Sequence, residues 1–280
     1  MSGKLYVVAT PIGNLADFSY RAVEILKTVD LIAAEDTRHV KMLLQHYSIN
    51  NNLISLHQHN EEHASPGLVE KLKSGLNIAL VSDAGTPLLS DPGMPLVRLA
   101  KQQGIDVSPI PGACAVIAAL SVSGLPVTRF TFEGFLPRTS SARKTFFSNK
   151  KSDTATWVFY ESSHRILASL EDLLEVISGG RRIVVARELT KLFETVVNDT
   201  LDNVLEQVRS DNNMQKGEFV VLVEGAVVEK NISEITEEQS RVLKVLLKEC
   251  SIKTAVAMAV EITGARKKVL YQAALDINGK

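Results

Sequence analysis

Three glycine- and proline-rich segments, residues 9–14, 82–93 and 109–115, each come directly after a short aliphatic run. A buried strand that ends in a glycine turn is the repeating unit of an open α/β sheet. In such sheets, ligands bind outside the carboxyl ends of the strands. Residues 5–9, 31–34, 78–82 and 107–110 have the composition of buried strands, and 20–27, 38–47, 62–73 and 95–103 carry helical spacing between them. This alternation predicts a mainly parallel sheet covered on both faces.

A second block follows. Its expected strands are 130–133, 156–160, 182–186, 194–198 and 219–224, with helices over 113–122, 140–149, 164–178 and 202–210. The strands at 182–198 have no helix between them, which predicts antiparallel pairing there. Beyond residue 228 the pattern is wholly helical. Thr236 to Gln239 reads as a capping box, a second helix starts near Ser251 and stops before Gly264, and Arg266, Lys267 and Lys268 open a third. The chain of 280 residues exceeds the usual domain size of about 100–150 residues. It divides into an N-terminal α/β domain (1–112), a second α/β domain (113–228) and a helical extension (229–280) resembling a helix-turn-helix module.

Composition narrows the class. No apolar run approaches the roughly 18–20 residues of a membrane span. The first residues run almost at once into a strand, without a basic segment or cleavage site, and Cys114 and Cys250 form neither a disulfide framework nor a CxxC pair. A cytoplasmic protein without membrane association is expected. The net charge of −1 hides an uneven distribution: residues 138–151 hold five basic side chains and no acidic one, and 241–268 hold seven against Glu249 and Glu261. Two such stretches make a polyanionic partner plausible, the alternative being two solvated faces.

The loops exclude familiar phosphate sites, since neither GxxxxGK[ST] nor GxGxxG occurs. What remains is a ligand gripped through backbone contacts and carrying little phosphate. The segments ATPIGNLAD, AEDTR, SDAGTPLLSDPG, PGACA, FEGFLPR, FYES, ARELTK and KGEFVV, in order over residues 4–226, resemble the ribosomal RNA small-subunit methyltransferase I family, a branch of the tetrapyrrole-methylase superfamily. The resemblance implies a two-domain tetrapyrrole-methylase-like α/β fold with mixed sheets and S-adenosylmethionine in the interdomain cleft. It also implies a homodimer that 2′-O-methylates a cytidine in the decoding region of 16S rRNA, within the small ribosomal subunit. It places the cofactor against Pro11, Gly85, Thr86, Leu89, Cys114 and Ala115 from the first half. From the second half come Tyr160, Glu161, Arg187, Gly217 and Glu218. Thr86 stands where porphyrinoid methylases carry the Asp of a Gly-Asp-Pro turn, and residues 11–14 depart from their glycine-rich first loop, so a tetrapyrrole substrate is not inherited.

A ribose hydroxyl is a poor nucleophile and needs a base to accept its proton. Asp17, Glu35, Asp36, Glu161 and Glu188 lie beside the motifs, and Asp36 and Glu188 are the catalytic candidates. Asp36 has a second reading as a helix N-cap. Arg38, Arg143, Lys144, Lys191, Arg266, Lys267 and Lys268 are candidates for gripping RNA phosphates. Phe130, Phe132 and Phe135 could stack a splayed base, but their alternation reads first as core. His57, His59 and His63 lack HExxH spacing, so no metal is expected, and Cys114 reads as a packing residue after a glycine turn. Two alternatives stay open on the same scaffold: a tetrapyrrole-type or other small-molecule methyltransferase, and a noncatalytic RNA-binding assembly factor.

Overall fold

The computed structural model describes residues 2–227 and 235–278. They fall into two compact units, one ending at Ala226 and the other starting at Val227. The expected boundary at 228–229 lies outside the described residues.

The first unit holds two five-stranded sheets. Strands β1 (Lys4–Val8), β2 (Leu31–Ala34), β3 (Leu53–Ser55), β4 (Ile78–Val81) and β5 (Asp106–Ile110) pair in the order β3-β2-β4-β1-β5. Every pairing in this sheet is parallel, so it is not mixed. The short β3 does not stand out in the sequence, because its three residues are half-buried and flanked by asparagines. The central strands read as unbroken apolar runs because both faces are covered. Ala79 and Val81 face α1 (Tyr20–Thr28) and α2 (Thr37–His46), while Ile78 and Leu80 face α3 (Glu61–Lys73) and α4 (Met94–Gln102). All loops that leave the carboxyl ends of these strands therefore emerge on one edge.

The second sheet joins β6 (Phe130–Phe135), β7 (Thr156–Ser162), β8 (Arg182–Arg187), β9 (Thr195–Thr200) and β10 (Glu218–Val223) in the order β6-β7-β10-β8-β9. It is mixed: β6 runs parallel to β7, and the other pairings, β8 with β9 included, are antiparallel. One face carries Trp157, Phe159, Ile183, Val185 and Val221 against α6 (Ser140–Lys150), α7 (Ile166–Val176) and α8 (Leu201–Ser210). On the other face, Val158, Val184, Ala186, Val220 and Leu222 pack against α5 (Ala115–Val122) and against Ile12 from the first lobe.

The second unit contains α9 (Glu237–Glu249), α10 (Ile252–Thr263) and α11 (Lys267–Asn278) around its own small core of Leu243, Val256, Ala259, Leu270 and Ala274. Thr236 and Gln239 form the reciprocal capping box, and Gly264 ends α10 at φ 65°.

Arg143 requires a correction. The sequence suggested a phosphate-gripping cation on an exposed helix face. In the fold it is 5% exposed and its guanidinium reaches the buried Asp172 of α7 through Nε at 2.7 Å and Nη2 at 2.6 Å. The Arg138 carbonyl accepts a further bond at 2.9 Å, so the guanidinium faces inward and has no free edge for RNA. Lys144 stays at the surface, paired with Glu175 at 2.6 Å. Removing one partner of a buried pair strands the other charge. Arg143→Ala should therefore cost about 3–5 kcal/mol in urea denaturation, and Lys144→Ala far less. Equal costs would show that the α6–α7 pair holds nothing together.

Candidate active site

The four carboxyl-end loops of the first sheet are stitched to one another. The buried Thr10 and Gly85 exchange two backbone hydrogen bonds, at 2.8 and 3.1 Å, and the Thr10 hydroxyl donates to the Ser82 carbonyl at 3.2 Å. Thr86 donates to the Ala113 carbonyl at 3.0 Å, tying loop 82–93 to loop 109–115. Loop 82–93 bends through left-handed backbone at Gly85 (φ 81°) and Gly93 (φ 116°), and also at Leu88 (φ 77°) and Ser90 (φ 70°), where a side chain makes that conformation costly. Glu61, in the first turn of α3, holds its far end by accepting from the Gly93 amide at 2.5 Å.

Between these loops and the second sheet lies a cavity of about 490 Å³, within the range of small-molecule sites. Gly85, Thr86, Leu89, Cys114 and Ala115 line it from the first lobe, and Tyr160, Glu161, Gly217 and Glu218 from the second. Pro11 and Arg187, expected among them, do not. Pro11 is buried behind the lining residue Ile12. The Arg187 guanidinium is spent on the carbonyls of Lys216 at 2.6 Å and Phe193 at 3.0 Å, which fixes the turn that presents Gly217. Gly217 must be glycine there: at φ 98°, an added Cβ would stand 2.6 Å from the Glu188 side chain.

Charge in this cavity is one-sided. Its lining contains Glu35, Asp83, Asp91, Glu161 and Glu218 and, among the described residues, no Lys, Arg or His. Burial raises the Glu35 carboxyl, and the neighbouring Asp91 and Asp83 add to the effect. Burial likewise pushes Asp91 up to about 6; Ser82 opposes the shift and Asp83 supports it. The Asp83 carboxylate accepts from the Asp36 amide at 3.0 Å. Glu161, 2% exposed, is fully engaged by Arg165 at 2.6 Å, the Ser169 hydroxyl at 2.6 Å and the Ser162 amide at 2.8 Å. Tyr160 lines the cavity, and burial raises its phenol well above the usual range.

Neither catalytic candidate from the sequence suits a base. Asp36 caps α2 and grips Arg38 through Nε at 3.0 Å and Nη2 at 2.6 Å. Those bonds hold its carboxyl far below the usual range, and it lies off the cavity lining. Glu188 sits at φ 52°, also off the lining. Burial would raise its carboxyl, but Lys191 at 2.8 Å and the Glu218 amide at 2.9 Å outweigh this and leave it lowered. Lys191 is thus bound to Glu188 and, at 3.0 Å, to Glu218. Arg38 projects into solvent with its side chain 89% exposed, and Arg266, Lys267 and Lys268 are exposed on the second unit. His57, His59 and His63 surround the start of α3, and no group of metal-ligating side chains occurs among the described residues.

Asp91 is the residue that sequence reading passed over. Its Ser-Asp-Pro-Gly setting reads as a turn, and only the fold turns its carboxyl toward the cleft. Phe135, named from the sequence as able to stack a base but read first as core, is 58% exposed at the cavity wall.

Residues 4–205 match the family model of the tetrapyrrole (corrin/porphyrin) methylases, and residues 233–278 match that of the RsmI C-terminal HTH domain. The chain is 49% identical to ribosomal RNA small subunit methyltransferase I of Escherichia coli O157:H7, over 99% of this chain and 96% of the relative. It is 50% identical to the protein of that name from Pseudomonas aeruginosa, over 100% and 99%. Among solved structures, the methyltransferase CobJ superposes with a TM-score of 0.59 at 20% identity, covering 80% of this chain and 95% of that one. Diphthine synthase gives 0.58 at 16% identity, covering 79% and 90%. At those identities the likeness establishes the fold alone. Taken with the full-length matches, the stitched strand-end loops and cleft are those of a tetrapyrrole-methylase family member, on the ribosomal RNA small subunit methyltransferase I branch.

Proposed function

We propose that this protein transfers the methyl group of S-adenosylmethionine to the 2′-oxygen of a cytidine ribose in the decoding region of 16S ribosomal RNA. Its setting would be the cytoplasm, its form a homodimer and its substrate the RNA within the small ribosomal subunit. The observation that carries this reading is the charge of the cleft: of the five carboxylates that line it, Glu161 and Glu218 pair with Arg165 and Lys191, and Glu35, Asp83 and Asp91 have no salt bridge among the described residues. Such a wall repels phosphates and favours a cationic ligand, because opposite charge is worth more where water is partly excluded. S-adenosylmethionine, when bound, supplies an electrophilic methyl on a positively charged sulfonium. Gly85, Thr86, Leu89, Cys114 and Ala115 would hold it from one side, and Tyr160, Gly217 and Glu218 from the other. The same negative cleft would keep the RNA backbone outside, where Arg38, Lys144, Lys191, Arg266, Lys267 and Lys268 are the candidate phosphate contacts. Most acceleration would come from positioning and from a preorganised electrostatic environment.

Incubating the protein with labelled cofactor and either small subunits, free 16S rRNA or a porphyrinoid tests the reading. Label in a ribose-methylated cytidine supports it. Label only in the porphyrinoid, or RNA binding without transfer, supports one of the alternatives instead. Gly85→Val would force a branched side chain into left-handed backbone, 3.2 Å from Ile12, and should weaken cofactor affinity by about tenfold or more in calorimetry. Replacing Arg266, Lys267 and Lys268 together by alanine should lower the slope of log affinity against log salt for RNA by about 2. An unchanged slope would remove the helical module from the RNA contact.

A further inference from the structure

Strand β6 contains an irregularity that places an aromatic ring at the mouth of the cavity. Phe132 is in register with Val158 and Phe135 with Tyr160, so three steps along β6 match two along β7. The extra residue is a β-bulge, and Gly134 takes the left-handed conformation (φ 67°) within it. In an uninterrupted strand, Phe132 and Phe135 would point to opposite faces. Here both rings meet Tyr160, Phe132 at 4.9 Å and Phe135 at 5.5 Å between centroids. Phe132 is covered by the inner core, whereas Phe135 remains open to solvent on the cavity wall. Glu133 anchors the bulge to Lys150 at 2.5 Å, so the ring stands on fixed backbone. An added Cβ at Gly134 would lie 3.3 Å from the Ser90 hydroxyl, which sets the bulge directly against the residue preceding Asp91.

A rigid, water-exposed aromatic beside a donor cavity has the form of a stacking platform for an unpaired base. The carboxylate next to it differs from its neighbours. Asp83 is occupied by the Asp36 amide and Glu35 faces the Asp83 amide, whereas Asp91 has only the Ser82 hydroxyl at hand. The titratable groups facing Asp91 are Glu35, Asp83 and the Tyr160 phenol, none of them cationic.

Resting on the ribose-methylation reading above, we propose that this mouth seats the acceptor nucleotide, its base stacked on Phe135 and its 2′-hydroxyl facing Asp91, which accepts the proton. In the transfer, the 2′-oxygen bonds to the methyl carbon and the carbon–sulfur bond breaks, its electron pair passing to sulfur. The hydroxyl proton passes to the Asp91 carboxylate, so the sulfonium charge is discharged and one neutral carboxyl group forms. Because the carboxylate is the active form, turnover rises with pH through about 6 and levels above it.

Steady-state kinetics with purified small subunits, together with calorimetry of S-adenosylmethionine alone, test the seat. F135A should raise KM for the subunit by about tenfold and leave cofactor affinity unchanged, and F135W should restore KM. Trp157 is the chain's lone tryptophan and is wholly buried, so the emission added by F135W should be quenched when small subunits are added without cofactor. D91N should lower kcat by about a hundredfold or more and abolish the pH dependence near 6, with a far smaller loss of cofactor affinity than of kcat. D91N should also fold. A carboxyl raised by burial favours the native state at low pH and costs stability once ionised, so the variant should melt higher than wild type at pH 8, with the gain shrinking below about 6. An F135A variant with wild-type KM, or a D91N variant that keeps the wild-type pH profile, overturns the seat alone. Absence of transfer by the wild type overturns the ribosomal reading, and the seat with it.

Discussion

Everything in the cleft follows from holding Glu35, Asp83 and Asp91 close together without a cation to balance them. Such an arrangement opposes folding, because burial and the Asp83 charge raise the cost of ionising Glu35 and Asp91 in a site partly shielded from water. It persists because the surrounding backbone is over-determined. The Thr10–Gly85 bridge, the Thr86 bond to Ala113 and the Glu61 clamp on Gly93 fix loop 82–93 even where Leu88 and Ser90 adopt left-handed backbone. Local strain and unbalanced charge in one loop are what a preorganised binding site requires, since the missing charge is left for the ligand to supply.

Much of this architecture was legible in the residues. Aliphatic runs such as Leu31–Ala34 and Ile78–Val81 are read directly, because strands covered on both faces need apolar side chains at every position. The caps at Thr236 and Gly264 were equally plain, since each satisfies a local backbone requirement. Features that depend on distant partners were not. Nothing beside Arg143 announces that Asp172, 29 positions later, will draw it inward. The pairing of Asp36 with Arg38 was visible as a cap, but its effect on acidity follows only from the geometry of the two side chains. The spacing of Phe130, Phe132 and Phe135 suggested core, yet Phe130 and Phe135 are exposed, and the bulge that brings Phe135 to Tyr160 beside Phe132 follows only from the register with β7.

On a scaffold shared with the methyltransferase CobJ and diphthine synthase, the fold decides where a ligand can sit and the loops decide which. Two features belong to the cleft and a third to the helical unit. The Thr86 hydroxyl is spent on joining two loops. Phe135 leaves an aromatic face open where an acceptor would enter. A helical unit with its own small core adds exposed cations at Arg266, Lys267 and Lys268.

The placement of β1 has a consequence for biosynthesis. It is made before the other strands of its sheet, yet its partners are β4 and β5, which end at Val81 and Ile110. At about 5–20 residues per second, β1 would wait on the order of ten seconds after emerging from the ribosome before both hydrogen-bonding edges are satisfied. During that interval an apolar strand with open edges is a substrate for chaperones and a hazard for aggregation. The burden of making this enzyme thus falls on the lobe whose finished loops will hold the reactive cleft.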